Sequence, residues 1–482
     1  MSAATLIARD ELRLLRRNRV AVIATMLLVL LTLVAVATSW AHQRGIADLR
    51  DRQQHGAETA FKAQPNRHPH RVVHYGTFIF RPLGPLAAFD PGVDAYTGSS
   101  MFLEGHRQNS ANFGDVRQSS LLVRFGQLTP AFVLQIVAPL LLIFLGYGAL
   151  ARERERGTLR LLMLQGVSRR SLVGGKLLAL GTVALVAGLP AMIGFVAIAR
   201  QPGALALPML ITAVGYFAYL AWWTVAILLV SATVRRSRDA LLALLALVAL
   251  WAVTTVLLPR VVPGVASAAV PLRNRLQTDV AIARDLRQMG DSHNPADPHF
   301  AAFRQSVLDR YGVDRVEDLP VNYKGVVGLE GERLTSSLFA RYTSESYAAQ
   351  EGQIALVDAA GILSPTIAVR ALSMAAAGTD FAGHRRFLDQ AEAYRYALVQ
   401  RLNRMQAVHV SYADDAAEDA GADRRKRVSA TNWSAMPDFS FARASGSDLA
   451  RGALPGLAIV LGWLTAATLL LALATRRLGA RR

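Results

Sequence analysis

Three histidines that follow one another closely in the first third of the chain could bind a metal ion. In an extended strand His68, His70 and His74 would share one face, because side chains alternate between the two faces. Imidazole is a ligand that copper, nickel and zinc accept. Pro69 interrupts the run, however, and no carboxylate lies close in sequence. We therefore predict no metal site and keep these three histidines only as candidates.

A second group of ionisable side chains could suggest acid–base chemistry. Asp380 and His384 are four residues apart, one turn on a helix, and Glu392 follows. No Gly-x-Ser-x-Gly or similar nucleophile motif accompanies them. Thr379 or Asp380 is better explained as the residue that caps a helix N-terminus. The sequence therefore predicts a protein that is not an enzyme.

The most informative stretch lies between residues 153 and 176. It reads Glu-Arg-Glu-Arg-Gly-Thr-Leu from Glu153 and ends in Gly-Gly-Lys at Lys176. Gly157 and Gly166 enclose a short apolar run that could form a helix along a membrane surface, suited to a groove on a cytoplasmic partner. The alternative is an ordinary basic loop, in which two carboxylates neutralise neighbouring arginines.

The elements that would position this stretch are apolar blocks long enough to cross a bilayer. A helical crossing takes about 20 residues. Lipid offers the backbone no hydrogen-bonding partner, so such blocks must be helices. The chain is 52% apolar, and six of its blocks contain no Asp, Glu, Lys or Arg. They are residues 20–40, 128–150, 177–199, 205–234, 240–258 and 454–474.

Positive charge marks one side of these six predicted spans. The N-terminal residues 1–19 contain five arginines, and the connections 151–176 and 235–239 and the C-terminal residues 475–482 are also basic. The short loop 200–204 has a single arginine. The positive-inside rule then places both termini in the cytoplasm. The basic residues that set this orientation account for the net charge of +18. We therefore predict no nucleic-acid partner.

Two long segments, residues 41–127 and 259–449, are then extracytoplasmic. Residues 42–63 suit a helix, whereas 71–98 are rich in Pro, Gly and aromatic residues and favour strands and turns. The predicted fold is an all-α membrane domain of six transmembrane helices with a mixed α/β extracytoplasmic domain formed by these two insertions. Residues 1–19 are predicted to form a basic amphipathic helix on the cytoplasmic membrane surface, and 475–482 a basic cytoplasmic tail.

Residues 153–176 resemble the ABC-2 type permeases, the membrane subunits of one class of ATP-binding-cassette exporters. Those permeases carry Glu-Arg-Glu-x-Gly-Thr-Leu after the second span, then a short coupling helix, and Gly-Lys at the start of the third. Arg156 stands where a neutral polar residue is frequent. The resemblance extends over essentially the whole chain to a subgroup with two large extracytoplasmic segments. Its motifs here include His-Tyr-Gly-Thr from His74, Asp-Pro-Gly-Val from Asp90 and Gly-Thr-Asp from Gly378.

The resemblance implies which residues couple the permease to an ABC ATPase. They are Glu153, Arg154, Glu155, Gly157, Thr158, Leu159, Gly166, Val167, Ser168 and Arg169. It also implies a second permease copy or a similar permease, forming a dimer. The chain has no Gly-x-x-x-x-Gly-Lys-Ser/Thr phosphate loop, since Lys176 is followed by Leu177. ATP and Mg²⁺ are therefore expected on the partner, with no cofactor in this chain.

Two hypotheses follow for the function. The first is a transmembrane permease subunit in the bacterial inner (cytoplasmic) membrane, which couples ATP hydrolysis by a separate subunit to substrate export or to mechanotransmission. The alternative is a membrane-anchored extracytoplasmic binding or scaffold protein, although six spans are more than anchoring needs.

Overall fold

The computed structural model of the protein describes residues 2–109, 111, 128–269, 273–290, 294 and 297–478. The helices of the first half are α1 (Ala3–Arg17), α2 (Arg19–Lys62), α3 (Pro69–Tyr75), α4 (Asp94–Thr97), α5 (Pro130–Phe132), α6 (Ala138–Gly146), α7 (Ala151–Glu155), α8 (Thr158–Leu164), α9 (Arg169–Ala199) and α10 (Ala206–Thr233). Those of the second half are α11 (Ser237–Ala269), α12 (Arg275–Met289), α13 (Pro298–Tyr311), α14 (Tyr323–Ala359), α15 (Pro365–Ala377), α16 (Phe381–His409), α17 (Tyr412–Ala416), α18 (Ala422–Arg425), α19 (Thr431–Ser434) and α20 (Gly446–Arg477).

The remaining regular elements are short. A π-helical segment, Val133–Val137, joins α5 to α6. Among the described residues, the strands are β1 (Thr77–Phe80) and β2 (Ser100–Leu103), and the 3₁₀ turns are Pro85–Ala88, Val316–Asp318 and Ala360–Ile362. The strands pair antiparallel, with Thr77 opposite Leu103.

Five helical stretches of the described chain are long and apolar enough to cross a membrane: Arg19–Lys62, Pro130–Glu155, Arg169–Ala199, Ala206–Thr233 and Gly446–Arg477. Each contains most or all of one of the predicted spans. The remaining predicted span, 240–258, lies in helical backbone within α11, but the side chains of residues 254–258 are outside the described residues. The count of six spans therefore stays a prediction. The end of the predicted basic tail, 479–482, and residues 112–127 of the first outer segment also lie outside the described residues.

The first span and the start of the first outer segment are one continuous helix. Helix α2 has 44 residues, which at 1.5 Å per residue makes a rod of about 66 Å, roughly twice the thickness of a bilayer core. The Asn18 side chain begins it by accepting hydrogen bonds from the backbone N–H groups of Val20 and Ala21. The helix therefore continues without a break from the first predicted span into the first predicted outer segment.

A helix from the second outer segment packs among the spans. Helix α15 lies against both α10 and α20. The hydroxyl of Tyr216 donates to Ser373 over 3.1 Å, and Tyr219 lies 3.0 Å from the hydroxyl of Thr366. These two tyrosines are about 15 and 20 Å along α10 from its first residue, Ala206, at 1.5 Å per residue. Segment 259–449 thus reaches into the helix bundle, which hydropathy did not reveal because α15 is short.

The two predicted outer segments pack together into one domain, which we call the outer domain. The indole N–H of Trp433 donates to the carbonyl of Gln64 over 2.9 Å, and Arg67 pairs with Val428 in an isolated β-bridge. A buried cluster joins Phe61 of α2 to Leu402 of α16 and to Trp433. The described part of this domain is mainly helical with the two short strands, so the predicted mixed α/β character is not confirmed.

Candidate functional site

The stretch 151–176 forms a helical hairpin between two long helices. Short helices α7 and α8 are separated by Gly157 at φ +74°, and α8 is separated from α9 by Gly166 at φ +83°. A Cβ atom at either glycine would meet nothing within 4 Å, so the left-handed backbone, rather than lack of space, favours glycine there. The two glycines therefore fix the direction in which α8 projects.

Glu153 ties the hairpin to the start of α9 and to the N-terminal helix. The ammonium group of Lys176, only 4% exposed, lies 3.0 Å from one Glu153 oxygen and also pairs with Glu11 of α1. The other Glu153 oxygen accepts the hydroxyl of Thr158, the first residue of α8. One buried cation thus joins α1, α7 and α9, and α8 is held to the same carboxylate.

Arg154 holds the C-terminal end of α10. Its guanidinium donates to the carbonyl of Ala232 over 2.8 Å and to that of Val234. The last carbonyls of a helix have no partner within the helix and carry partial negative charge. A cation from α7 satisfies them here.

Glu155 makes the complementary contact at the N-terminal end of α11. Its carboxylate accepts the backbone N–H of Ser237 over 3.2 Å and the Ser237 hydroxyl over 2.7 Å. Free N–H groups at a helix start favour an anion. Consecutive residues Glu153, Arg154 and Glu155 therefore attach one short helix to three long ones.

Two further contacts hold the hairpin to the neighbouring long helices. The Ser231 hydroxyl of α10 accepts the backbone N–H groups of Leu150 and Ala151, each over 3.0 Å. Arg169 donates to the carbonyl of Arg476 near the end of α20 over 2.6 Å. Sequence reasoning missed Ser231, because a serine in an apolar segment carries no sign of which backbone groups it will meet.

Helix α8 turns one apolar face inward and leaves another uncovered. Leu159 is 5% exposed and packs in the core, whereas Leu161 and Leu164, three residues apart, are 59% and 76% exposed. Val167 is partly buried against the same core, and Ser168 caps α9 by accepting the N–H of Ser171 over 3.0 Å. The uncovered leucines give α8 the kind of surface that a helix presents to a groove.

Helix α1 packs directly against the start of α9. A Cβ atom at Gly175 would lie 2.7 Å from the carbonyl oxygen of Ala4 and 2.6 Å from Cβ of Ile7. At the neighbouring Gly174 the nearest contact would be an ordinary 3.9 Å. Gly175 therefore permits the close approach that brings Glu11 to Lys176.

A basic cavity of about 1120 Å³ opens beside α8, between α10 and α20. Its apolar wall includes Leu229 and Leu473. Its arginines are Arg154, Arg160, Arg169, Arg235 and Arg477.

The structure sets His68 apart from the other two candidate histidines, His70 and His74. The run is not a strand: His68 caps α3, with its Nδ1 accepting the His70 N–H, and His70 and His74 lie one turn apart on that helix. His68 Nε2 lies 3.1 Å from a carboxylate oxygen of Asp415. His70 and His74 come together with His106 instead. The sequence did not indicate this group, because His106 lies far from the other two along the chain.

The other ionisable group forms a helix cap, as predicted. Asp380 begins α16 by accepting the N–H of Gly383 over 2.9 Å. His384 is buried beneath it, and burial together with the nearby charge of Arg81 lowers the His384 pKa to about 4.

Comparison with known families matches the chain to two models. The model described as ABC-2 family transporter protein matches residues 5–309, well over half of the 482 residues, and includes the whole hairpin. A domain of unknown function, DUF3526, matches residues 275–442, most of the second outer segment. Neither the curated proteins nor the solved structures contain a match to the chain.

Proposed function

The chain belongs to the ABC-2 transporter family and is a multi-pass membrane permease component, and from this premise we propose that it couples a separate ATPase to substrate export or to mechanotransmission. The permease works as a dimer, with a second copy or a similar permease, in a bacterial inner membrane. Both termini and the hairpin 151–176 face the cytoplasm.

The observation that carries this proposal is the set of attachments made by Glu153, Arg154 and Glu155. Each consecutive side chain reaches a different long helix, α9, α10 or α11. Helix α8, joined to the same carboxylate through Thr158, offers two uncovered leucines. A force applied to α8 is thereby distributed to three helices at once.

In the proposed mechanism the partner binds ATP and Mg²⁺, because this chain has no phosphate loop. ATP-driven closure of a pair of ATPases moves α8, and the attachments tilt α9 and α10. Helix α10 passes the displacement to α15 through the Tyr216–Ser373 and Tyr219–Thr366 contacts. Access between the two halves of the dimer then changes on the outer side.

An outer scaffold anchored by the spans gives no reason for these attachments on the other side of the helix bundle. Its activity would depend on the outer segments alone. The two hypotheses therefore differ in whether changes to the surface of α8 abolish function.

The first experiment removes the uncovered apolar surface of α8 without touching its attachments. The protein is tagged, expressed in its own cells and purified in mild detergent, and ATPases that co-purify are identified by mass spectrometry. We expect a phosphate-loop ATPase with the native chain and its loss from the double variant Leu161→Asp, Leu164→Asp.

The matched control is Leu276→Asp, which changes an equally exposed leucine of α12 in the second outer segment. It is expected to retain the ATPase. Retention of the ATPase at native levels by the double variant would exclude α8 as the docking element.

A second experiment tests the orientation and uses the absence of cysteine from the chain. Gln165→Cys places a thiol at the exposed end of α8, and His55→Cys places one on the outer part of α2. A maleimide that cannot cross the inner membrane should label only His55→Cys in intact cells and both variants after permeabilisation. Labelling of Gln165→Cys in intact cells would place the hairpin on the wrong side.

A further inference from the structure

Three imidazoles converge on one point of the outer domain. His70 and His74 lie on α3, and His106 lies just after β2. One ring nitrogen of each lies within 4.8 Å of the others, and their ring centroids are 4.6, 5.4 and 5.5 Å apart. His70 is half-buried and the other two are exposed, so an ion could enter from solvent.

The spacing of His70 and His74 suits two ligands of one metal ion. The Nε2 atoms of His70 and His74 are 3.1 Å apart. Two nitrogens bound to one tetrahedral zinc at about 2.0–2.1 Å are separated by about 3.3 Å. Without an ion the same distance corresponds to an N–H···N bond between two neutral rings, which leaves the approach of the third ring unexplained.

The local fold brings the third histidine to the helix. Histidines four residues apart present their rings on one face of a helix, as in known zinc motifs. A Cβ atom at Gly105 would lie 2.2 Å from the Val73 side chain, so glycine lets the end of β2 press against α3 between the two histidines.

His106 itself has an unusual backbone. Its φ is +63°, and within the described ranges no other residue except glycine has a positive φ. Left-handed backbone at a residue with a side chain is strained and concentrates at functional sites. With this backbone conformation, the His106 ring lies 5.5 Å from the His70 ring and 5.4 Å from the His74 ring.

A buried carboxylate completes the arrangement behind His106. Nδ1 of His106 lies 3.5 Å from Oε2 of Glu332, and the His106 N–H donates to the same oxygen over 3.4 Å. Glu332 is fully buried and is held by Arg395 over 2.7 Å. Metal-bound histidines characteristically donate their other ring N–H to such a carboxylate, which leaves Nε2 free to bind the ion.

We propose that His70, His74 and His106 form a three-histidine site for a divalent transition metal ion of the zinc type, with a fourth position open to solvent. Glu332 is a positioning residue that orients the His106 ring. The site joins the first outer segment to α14 of the second. It does not depend on whether α8 binds an ATPase.

Their surroundings favour the neutral form of His70 and His74, and neutral imidazole is the form that binds a metal ion. Burial, and then the neighbouring His74 and His106, lower the His70 pKa to about 4. Burial and His106 also lower the pKa of His74. The ring nitrogens of His70 and His74 therefore offer lone pairs at neutral pH.

The test uses the full-length protein in detergent, carrying a tag without histidine and treated with chelator. Zn²⁺ is titrated in competition with a chromophoric chelator, and Co²⁺ replaces it for visible spectroscopy. We expect one tight Zn²⁺ per chain and the strong visible bands of four-coordinate Co²⁺.

Two ligand variants and one matched control decide the outcome. His74→Gln changes an exposed residue, and His106→Asn keeps a residue type that tolerates positive φ, so both should fold. Each should weaken Zn²⁺ binding by about 100-fold or more and abolish the Co²⁺ bands, since loss of an outer partner alone costs about 10–100-fold. His55→Gln changes an exposed histidine of α2 outside the cluster and should bind as the native chain does. Native affinity in either ligand variant, or no tight Zn²⁺ in the native chain, would overturn the proposal.

Discussion

Two charged residues of the hairpin 151–176 and one buried pair of the outer domain use their charges in opposite ways. In the hairpin, Arg154 and Glu155 are bound mainly to the backbone ends of other helices. In the outer domain, the side chains of Arg395 and Glu332 are 2% and 0% exposed and pair with one another. The first arrangement links helices only through their ends. The second holds α14 and α16 in one fixed position relative to each other.

This difference has an energetic basis. A charge at a helix end gains a modest stabilisation from the helix dipole and can be re-formed after a small movement. A buried pair is costly to desolvate, and the loss of one partner leaves the other uncompensated. We infer that the outer domain is a rigid body and that the hairpin is the adjustable joint.

The largest expected effect is on the buried pair of the outer domain. Arg395→Met leaves Glu332 buried without its cation, and should lower the free energy of unfolding of the outer domain by about 3–5 kcal/mol. Denaturant unfolding in detergent, followed by the fluorescence of the buried Trp433, measures this.

The control for this variant is Arg333→Ala, which breaks the neighbouring pair with Glu330, where the arginine is 56% exposed. That change should cost at most about 1 kcal/mol. Equal losses in the two variants would show that burial does not make the Arg395–Glu332 pair more important than an exposed pair.

A second buried pair of the outer domain predicts a pH dependence. Burial raises the pKa of Asp94 to about 6 from 3.8, although Arg81 opposes the shift, and Asp380 and Asp90 add to it. The folded state then binds more protons than the unfolded state between these values, so this contribution to stability is largest below pH 4 and is lost as the pH rises through 6. The stability of the native chain relative to Asp94→Asn should fall by up to about 3 kcal/mol from pH 4 to 7. A difference that does not change with pH would contradict this.

The joint itself is tested at the contact between α1 and α9. Gly175→Ala forces a methyl group against the Ala4 carbonyl and should cost about 1–3 kcal/mol of packing there. Ala8→Cys, at a buried position of α1, should then react faster with a permeant maleimide in the Gly175→Ala background.

Gly174→Ala is the matched control, because its methyl group makes only ordinary contacts. It should leave the reactivity at position 8 unchanged. Equal reactivity in both backgrounds would show that Gly175 is not needed for the approach of α1.

The smallest effect on stability is expected at Glu155. Glu155→Ala removes the anion from the start of α11, and an exposed carboxylate at a helix end contributes little to stability. We nevertheless expect it to reduce ATPase-driven transport strongly, since it detaches α11 from α7. Unchanged transport, with normal amounts of protein in the membrane, would show that coupling to the ATPase does not need the contact between Glu155 and Ser237.

Much of the helical framework was predictable from sequence. The apolar blocks give five helices able to cross a membrane. An uncharged run of that length can hydrogen-bond all its backbone groups in lipid only by forming a helix. The path of α15 was not predictable. Its 13 residues are too few to register as a span, and its place depends on Tyr216 and Tyr219 of another helix.

The candidate sites divide in the same way. The alternating charges from Glu153 marked the hairpin, but the targets of Arg154 are backbone carbonyls, which every residue has. His70 and His74 were visible as a pair, whereas His106 joins them through the close approach at Gly105 and its own left-handed backbone.

The sequence by itself determined which segments are apolar enough to be helices in lipid and where charge and glycine interrupt them, because these are local properties of composition and spacing. The tertiary structure alone decided that Lys176 meets Glu11 from 165 residues away and that Glu332 lies behind His106 from 226 residues away. Such pairings are set by packing over the whole chain, and no local pattern records them.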